Sequence, residues 1–163
     1  MRKFNWIMAV LMAFTLSLAA CEKDNPQTDE PQDKPNPPTP TELTFEASVT
    51  EVTSTSAFIN VTPSDLEADY LSVVYSAYAV EQCATDAEIV AKIYAEIAEY
   101  AESQEQTFVE YMAEHVKRGK LENHEVGGLA QATNYYLLVF GVDNTKEYAA
   151  STAIKMVKFK TAE

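Results

Sequence analysis

Cysteine and histidine are the side chains whose ordinary ionisation lies nearest neutral pH, and the 163-residue sequence holds four of them: Cys21, Cys83, His115 and His124. A thiol acts as a nucleophile when a base stands beside it. Cys83 and His115 supply the two groups, but the residues around them form no thiol-protease motif. His115 lies on a predicted helix and His124 beside Glu125, both where water solvates them. No cysteines or histidines stand at zinc-ligand spacing. Asp24, Asp29 and Asp33 lack the glycine and the closing glutamate of a calcium loop. Glu96, Glu99 and Glu102 read as one solvated helix face, and Gly127-Gly128 reads as a turn, not a phosphate cradle. The sequence therefore predicts no catalytic residue, no metal ligand and no cofactor site, and the chain is expected not to be an enzyme. Nine tyrosines are the remaining chemical resource. Exposed phenol rings stack on sugars and anchor protein interfaces.

The first cysteine has a distinct setting. Met1-Arg2-Lys3 is a short basic start, and Phe4 to Ala20 is mostly apolar, interrupted by Asn5, Thr15 and Ser17. Small residues close the segment before Cys21, the layout of a cleavable secretory signal over residues 1–20. Leu18-Ala19-Ala20-Cys21 resembles the lipobox of bacterial lipoproteins. That resemblance implies a diacylglycerol on the Cys21 sulfur and a new amino terminus at the same residue. Several acyl chains on one residue make a durable anchor, at about 0.8 kcal/mol for each buried methylene. Glu22, Lys23 and Asp24 follow, which is similar to outer-membrane sorting in lipoproteins and to surface-export signals of Bacteroidetes-type bacteria. The expected location is the cell envelope, anchored by lipid to the outer membrane at its periplasmic face or at the cell surface.

Residues 21–41 make the lipidated cysteine and a tether. Six of the seven prolines lie here: Pro26, Pro31, Pro35, Pro37, Pro38 and Pro40. The remaining residues are polar, so there is nothing to bury that would offset the entropy of ordering. An extended proline-rich spacer of this length reaches about 60 Å. Formal net charge is −13, and losing Arg2 and Lys3 with the signal leaves −15. A field of that sign repels phosphate backbones, so no nucleic-acid partner is expected. With Cys21 acylated, Cys83 has no disulfide partner in the chain, and the fold rests on its core alone. Cys83 stands just before a predicted helix start, where a thiolate is favoured. It also reads as a small, partly buried apolar residue.

Residues 42–163 carry the alternations of a folded domain. Leu43 to Ala47 and Ala57 to Thr62 alternate apolar and polar, as half-buried strands do. Pro63-Ser64-Asp65 stops the second run. Tyr70 to Val80 is β-branched and aromatic and predicts a long central strand. The period then changes. Thr85 followed by Glu88 is a capping-box signature, and Ile89, Ile93, Ile97 and Tyr100 follow at helical spacing, with Glu88 and Lys92 placed to pair. Phe108, Met112 and Val116 predict a second helix, with Lys117 and Arg118 at its negative end and Gly119 as its stop. Strands return over Leu121 to Val126, Tyr135 to Val142 and Ile154 to Thr161.

Between two of those strands lies Leu129-Ala130-Gln131-Ala132-Thr133-Asn134-Tyr135, which resembles the tyrosine corner of fibronectin type III domains. The resemblance covers roughly residues 43–80 and 120–161. It implies an immunoglobulin/fibronectin type III-like antiparallel sandwich, a mainly β fold, with Leu129 plugging the core and the Tyr135 hydroxyl bonded to upstream backbone. The family's second strand carries a core tryptophan; here Phe58 or Ile59 stands in its place. The two-helix insertion at about 84–119 is foreign to the family and is expected to be a distinctive added surface, dispensable to the sandwich. The function expected is that of a membrane-anchored, non-catalytic envelope lipoprotein presenting a binding or adaptor domain to a protein or glycan partner. The alternative is a structural subunit of a surface or outer-membrane assembly. The oligomeric state is left open.

The anchor yields a direct expectation. A clickable palmitate analogue fed to cells enters the wild-type protein, and Cys21→Ser abolishes both label and membrane attachment, read by gel fluorescence and fractionation. Unchanged attachment of the serine variant refutes the lipoprotein reading.

Overall fold

A computed structural model describes residues 42–163. The expected signal, Cys21 and the proline-rich tether lie outside the described residues. The described part is mainly β, with two antiparallel sheets and three helices. The strands are β1 (Phe45–Thr50), β2 (Ser56–Pro63), β3 (Asp69–Ser76), β4 (Lys117–Arg118), β5 (Leu121–Gly127), β6 (Asn134–Asp143), β7 (Ala149–Ala150) and β8 (Lys155–Lys160). The helices are α1 (Ala77–Glu81), α2 (Asp86–Ser103) and α3 (Phe108–His115), and one 3-10 turn covers Asn144–Lys146.

The smaller sheet has the order β1-β2-β5. β2 alternates strictly, burying Ala57, Ile59, Val61 and Pro63. Ile59 thus takes the core position and Phe58 points to the other side, which resolves the choice the sequence left open. The β1–β2 connection is held by the Thr53 hydroxyl, which accepts from the amides of Thr55 and Ser56 at 3.2 and 2.9 Å. The β2–β5 register shifts between Ile59 and Val61. There Asn123 adopts φ +48°, and its amide donates to Asn60 Oδ1 at 2.8 Å. In the larger sheet β3 lies between β4 and β6, and β6 carries β7 and β8 on its other edge.

Two cores flank the larger sheet. Phe45, Ile59 and Val61 of the smaller sheet meet Tyr70, Leu137 and Val139 of the larger. On the opposite face Leu71, Leu138, Phe140 and Val142 meet Val80, Ile89, Ile93 and Met112 of the helices. Successive residues of β6 therefore alternate between two apolar layers. That is why its sequence is a continuous hydrophobic run where β2 is an alternation. The helical segment is a third layer closing a core, which corrects the expectation that it is dispensable.

Local chemistry explains where the observed elements depart from those expected. The strand predicted to reach Val80 ends at Ser76, whose hydroxyl caps α1 by accepting from the Ala79 amide at 3.3 Å. Tyr78 and Val80 are consequently helical. α2 begins at the Thr85 cap as read from the sequence, but Glu88 reaches back to the Ala84 amide at 2.7 Å, one residue beyond the cap amide of a true box. Lys92 turns to Glu96 at 3.4 Å, not to Glu88. α2 ends in a Schellman motif: Glu105 N–H meets Glu102 O and Gln106 N–H meets Ala101 O, with Glu105 at φ +60°. The complete capping box belongs to α3, between Thr107 and Glu110. α3 stops at His115, so Lys117 and Arg118 do not neutralise a helix end. They form β4 against Asp69 and Tyr70, and Arg118 binds Asp69 with Nη2–Oδ1 at 2.7 Å.

Gly141 marks one close approach. A Cβ there would stand 2.8 Å from the Leu43 side chain and from Ser151 Oγ, and 2.9 Å from Thr152 Cγ2. The 149–154 connection folds tightly over β6 at this point, with the Gly141 amide donating to Thr152 Oγ1 and its carbonyl accepting from the Ser151 amide.

Deleting residues 84–119 leaves Leu71, Leu138 and Phe140 facing water. The deleted chain is expected to lose its cooperative thermal transition, measured by circular dichroism. Phe140→Ala, which removes a ring buried in that layer, is expected to cost about 3–5 kcal/mol in denaturant unfolding. A folded, cooperative deletion variant would refute the three-layer account.

Candidate functional site

Two constellations emerge from this fold, one at a strand junction and one on the helical layer. At the junction, the Tyr135 hydroxyl accepts from the Ala130 amide at 2.8 Å, and the ring stacks on Phe159 with centroids 5.7 Å apart. Thr133 lies in the same turn: its hydroxyl donates to the Gln131 carbonyl at 2.8 Å. Leu129 is half-buried, and its amide donates to the Thr55 carbonyl at 3.0 Å. The turn is clamped further by Thr161. The Thr161 hydroxyl donates to the Ala130 carbonyl at 2.7 Å and accepts from the Thr133 amide at 2.9 Å. Thr161 is buried, and its role could not be read from a sequence in which it sits 28 residues from Thr133. The group is a structural lock: its donors and acceptors are satisfied by one another.

The helical layer carries the aromatic residues that remain accessible. Tyr100, in the last turn of α2, is 54% exposed. It meets Tyr111 of α3 edge-on, with centroids 5.6 Å apart at 75°. Tyr111 stacks in turn on His115, 3.8 Å away at 6°, and His115 Nδ1 donates to the Tyr111 carbonyl at 2.8 Å. Helical geometry sets this ladder, because residues four apart lie on one face. Beside it Glu96, Glu99, Tyr100 and Ser103 line an open hollow of about 300 Å³. Ser103 Oγ donates to the Tyr100 carbonyl at 2.6 Å and fixes the rim. On β3, burial raises the Tyr75 phenol above its ordinary ionisation range, and the Glu96 carboxylate beside it adds to the effect. Burial also raises Tyr111, with Tyr100 as the second cause. The aromatic and acidic residues of β3, α2 and α3 thus converge on one surface. The sequence had Glu96 and Glu99 on a solvated face and had all three tyrosines, but Tyr75 and Tyr111 join Tyr100 only through the packing of three elements.

Other residues of chemical interest are placed elsewhere. Cys83 is half-buried between α1 and α2, with Sγ donating to the Ala79 carbonyl at 3.8 Å, and it packs on the helix-side core. His115 is occupied with Tyr111, so the cysteine and the histidine have separate partners. His124 is exposed on β5. Tyr94 donates to the Tyr148 carbonyl at 2.6 Å, and burial pushes its phenol up to about 12. A polar recess of about 340 Å³ lies at the Leu43 end of the domain. There Asp69 receives Arg118 on one oxygen and the Asn144 amide group on the other at 2.7 Å. Among the described residues no group of His, Cys, Asp and Glu is arranged to hold a metal ion, and no helix is long and apolar enough to cross a membrane.

No family model matches the chain, and no curated protein matches it. Among solved structures it is similar to the sensor domain of the anti-sigma factor RsgI4 of Pseudobacteroides cellulosolvens. That domain is 14% identical, with 77% of this chain and 100% of that one covered, at a TM-score of 0.34. A likeness of that size carries no argument about fold type or function.

The lock at the strand junction predicts a graded stability series. Tyr135→Phe removes one acceptor from an amide at the surface and is expected to cost about 1 kcal/mol. Thr161→Val strands a buried amide and is expected to cost more, about 1–3 kcal/mol, in urea unfolding. Equal, negligible effects of both would show that the turn is held by packing alone.

Proposed function

We propose that the protein is an envelope lipoprotein whose 42–163 domain is a fibronectin type III-like binding module, held on a tether by acylated Cys21 and acting without catalysis. In the lettering of immunoglobulin-like sandwiches, β1, β2 and β5 correspond to strands A, B and E, and β4, β3, β6 and β8 to C′, C, F and G. That partition, with the Tyr135–Ala130 hydrogen bond at the E–F junction, supports the type III reading. The helices are then an elaboration on the C′-C-F-G face.

The observation that carries the binding role is the surface of Tyr100, Tyr111, Glu96 and Glu99. It combines an exposed ring with carboxylates in an open hollow, the composition by which tyrosines anchor a protein or glycan partner. Leu43 packs beside Gly141, which pairs with Tyr70, whereas Tyr75, beside Glu96 of the hollow, lies five residues further along β3, about 17 Å away. Three sheet edges, β4, β5 and β8, favour this reading over that of an assembly subunit. β8 carries Lys155, Lys158 and Lys160, β4 has two residues and β5 is bulged at Asn123, all devices that discourage strand addition.

A photo-crosslinking amino acid placed at Tyr100 in cells is expected to give a discrete adduct that the same group at Glu125 of β5 does not. The Tyr100 adduct is expected to vanish when Cys21→Ser releases the protein from the envelope. Adducts from Glu125 alone, or identical adducts from both positions, would remove the helical face as the partner surface.

A further inference from the structure

The hollow on the helical layer has an electrostatic signature that narrows its ligand. Residues 86–115 hold eight carboxylates and a single lysine, a net charge of −7 in thirty residues. Some of those carboxylates are committed internally. Asp86 accepts from the Ile154 amide, Glu88 from Ala84 and Glu110 from Thr107. Glu99 accepts no hydrogen bond or ion pair within the described residues; Glu96 lies beside the Tyr75 hydroxyl and has Lys92 at 3.4 Å, with Lys92 and Glu96 each about half exposed. An i,i+4 pair of that exposure is weak and is readily exchanged for an incoming cation.

A second contribution comes from the backbone. Tyr100 and Ser103 lie in the last turn of α2; its carbonyls are closed by the Schellman motif, but the aligned peptide dipoles still leave that end negative, and no basic side chain stands in that turn. A third is the ring itself. The edge-on contact with Tyr111 holds Tyr100 in place and leaves over half of it accessible, and a phenol face attracts ammonium and guanidinium groups. Carboxylates, helix end and ring face meet at one hollow, and each favours positive charge there. A neutral glycan would use the ring and leave the charge unrelieved.

Building on the binding role argued above, we infer that the hollow between Glu96, Glu99 and Tyr100 docks a lysine- or arginine-bearing segment of a partner protein. The basic side chain lies against the Tyr100 ring, its charged end between Glu96 and Glu99 and within reach of the α2 carboxyl end. Charge complementarity selects this occupant over an apolar segment, which would bury those carboxylates unpaired.

The test uses the full-length chain in detergent micelles, with ring-labelled tyrosine followed by NMR and affinity by calorimetry at two salt concentrations. The probes are a glycine-spaced Arg/Lys heptapeptide, its citrulline/norleucine analogue and a neutral β-linked glucose hexasaccharide. The basic peptide is expected to shift the Tyr100 and Tyr111 ring signals, and the neutral peptide is not. Tyr100→Ala is expected to weaken binding by about tenfold, and Tyr100→Phe by less than about twofold. The Glu96→Gln/Glu99→Gln pair is expected to weaken it by about tenfold or more, while Glu122→Gln/Glu125→Gln on β5, with the same change in net charge, leaves it within about twofold. Equal losses from the two pairs would mean diffuse attraction to an acidic protein and would overturn the proposal. Ring shifts with the hexasaccharide and none with the basic peptide would overturn the ligand class and keep the binding surface. No ring shift with any probe would overturn both.

Discussion

The run Leu137 to Val142 is enclosed from both sides, and neither enclosing layer is optional. Leu137 and Val139 need the β1-β2-β5 sheet; Leu138, Phe140 and Val142 need the helices. Each large side chain taken out of water contributes on the order of 1.5–3 kcal/mol. Leaving one face of β6 wet would forgo several such contributions, in a domain whose net stability is only about 5–15 kcal/mol. Among the described residues the only cysteine is free, so no crosslink can substitute for that burial. The helical layer is in this chain part of what makes the sheet stable.

That constraint fixes the helices' orientation and so their outer surface. Ile89, Ile93 and Met112 must face Leu138 and Phe140, and helical periodicity then turns Glu96 and Glu99 outward. Tyr94 tightens the arrangement by reaching from α2 to the Tyr148 carbonyl, tying the helix to the connection between β6 and β8. At the other end of α2 the Schellman motif and the α3 capping box turn the chain sharply, which brings Tyr111 against Tyr100. The acidic aromatic surface is thus a geometric consequence of packing the inner face. The residues free to vary under that packing are the outward ones, and in α2 they are mostly alanine and glutamate, with Lys92 the only basic residue among them.

Much of this architecture was legible because it is written in short-range periodicity. The alternation in Ala57 to Thr62, the helical spacing of Ile89, Ile93 and Ile97, and the unbroken run in β6 each state which face is buried. Thr85 announced its helix three residues ahead through Glu88. The failures came where one residue's environment overrode local preference. Val73, Val74, Tyr75 and Tyr78 read as one strand, yet a single hydroxyl at Ser76 ends it by capping α1. Lys117 and Arg118 looked like helix-end cations, but Asp69, 49 residues away from Arg118, draws them into a strand pair. Thr161 and the Tyr75–Tyr100–Tyr111 convergence were invisible for the same reason: long-range contacts leave no spacing rule in the chain.

The same logic separates what positions the domain from what it offers a partner. At the strand junction, Tyr135, Thr133 and Thr161 satisfy one another, so every polar group there is spent within the fold. In the recess near Leu43, Asp69 is likewise filled by Arg118 and Asn144. The hollow beside Tyr100 differs in kind. Its carboxylates are not closed by internal cations of matching strength, its ring is open, and the helix end beside it lacks a basic residue. With the junction and the recess closed, the hollow beside Tyr100 still offers an incoming group unspent interactions, and it lies on the helical layer.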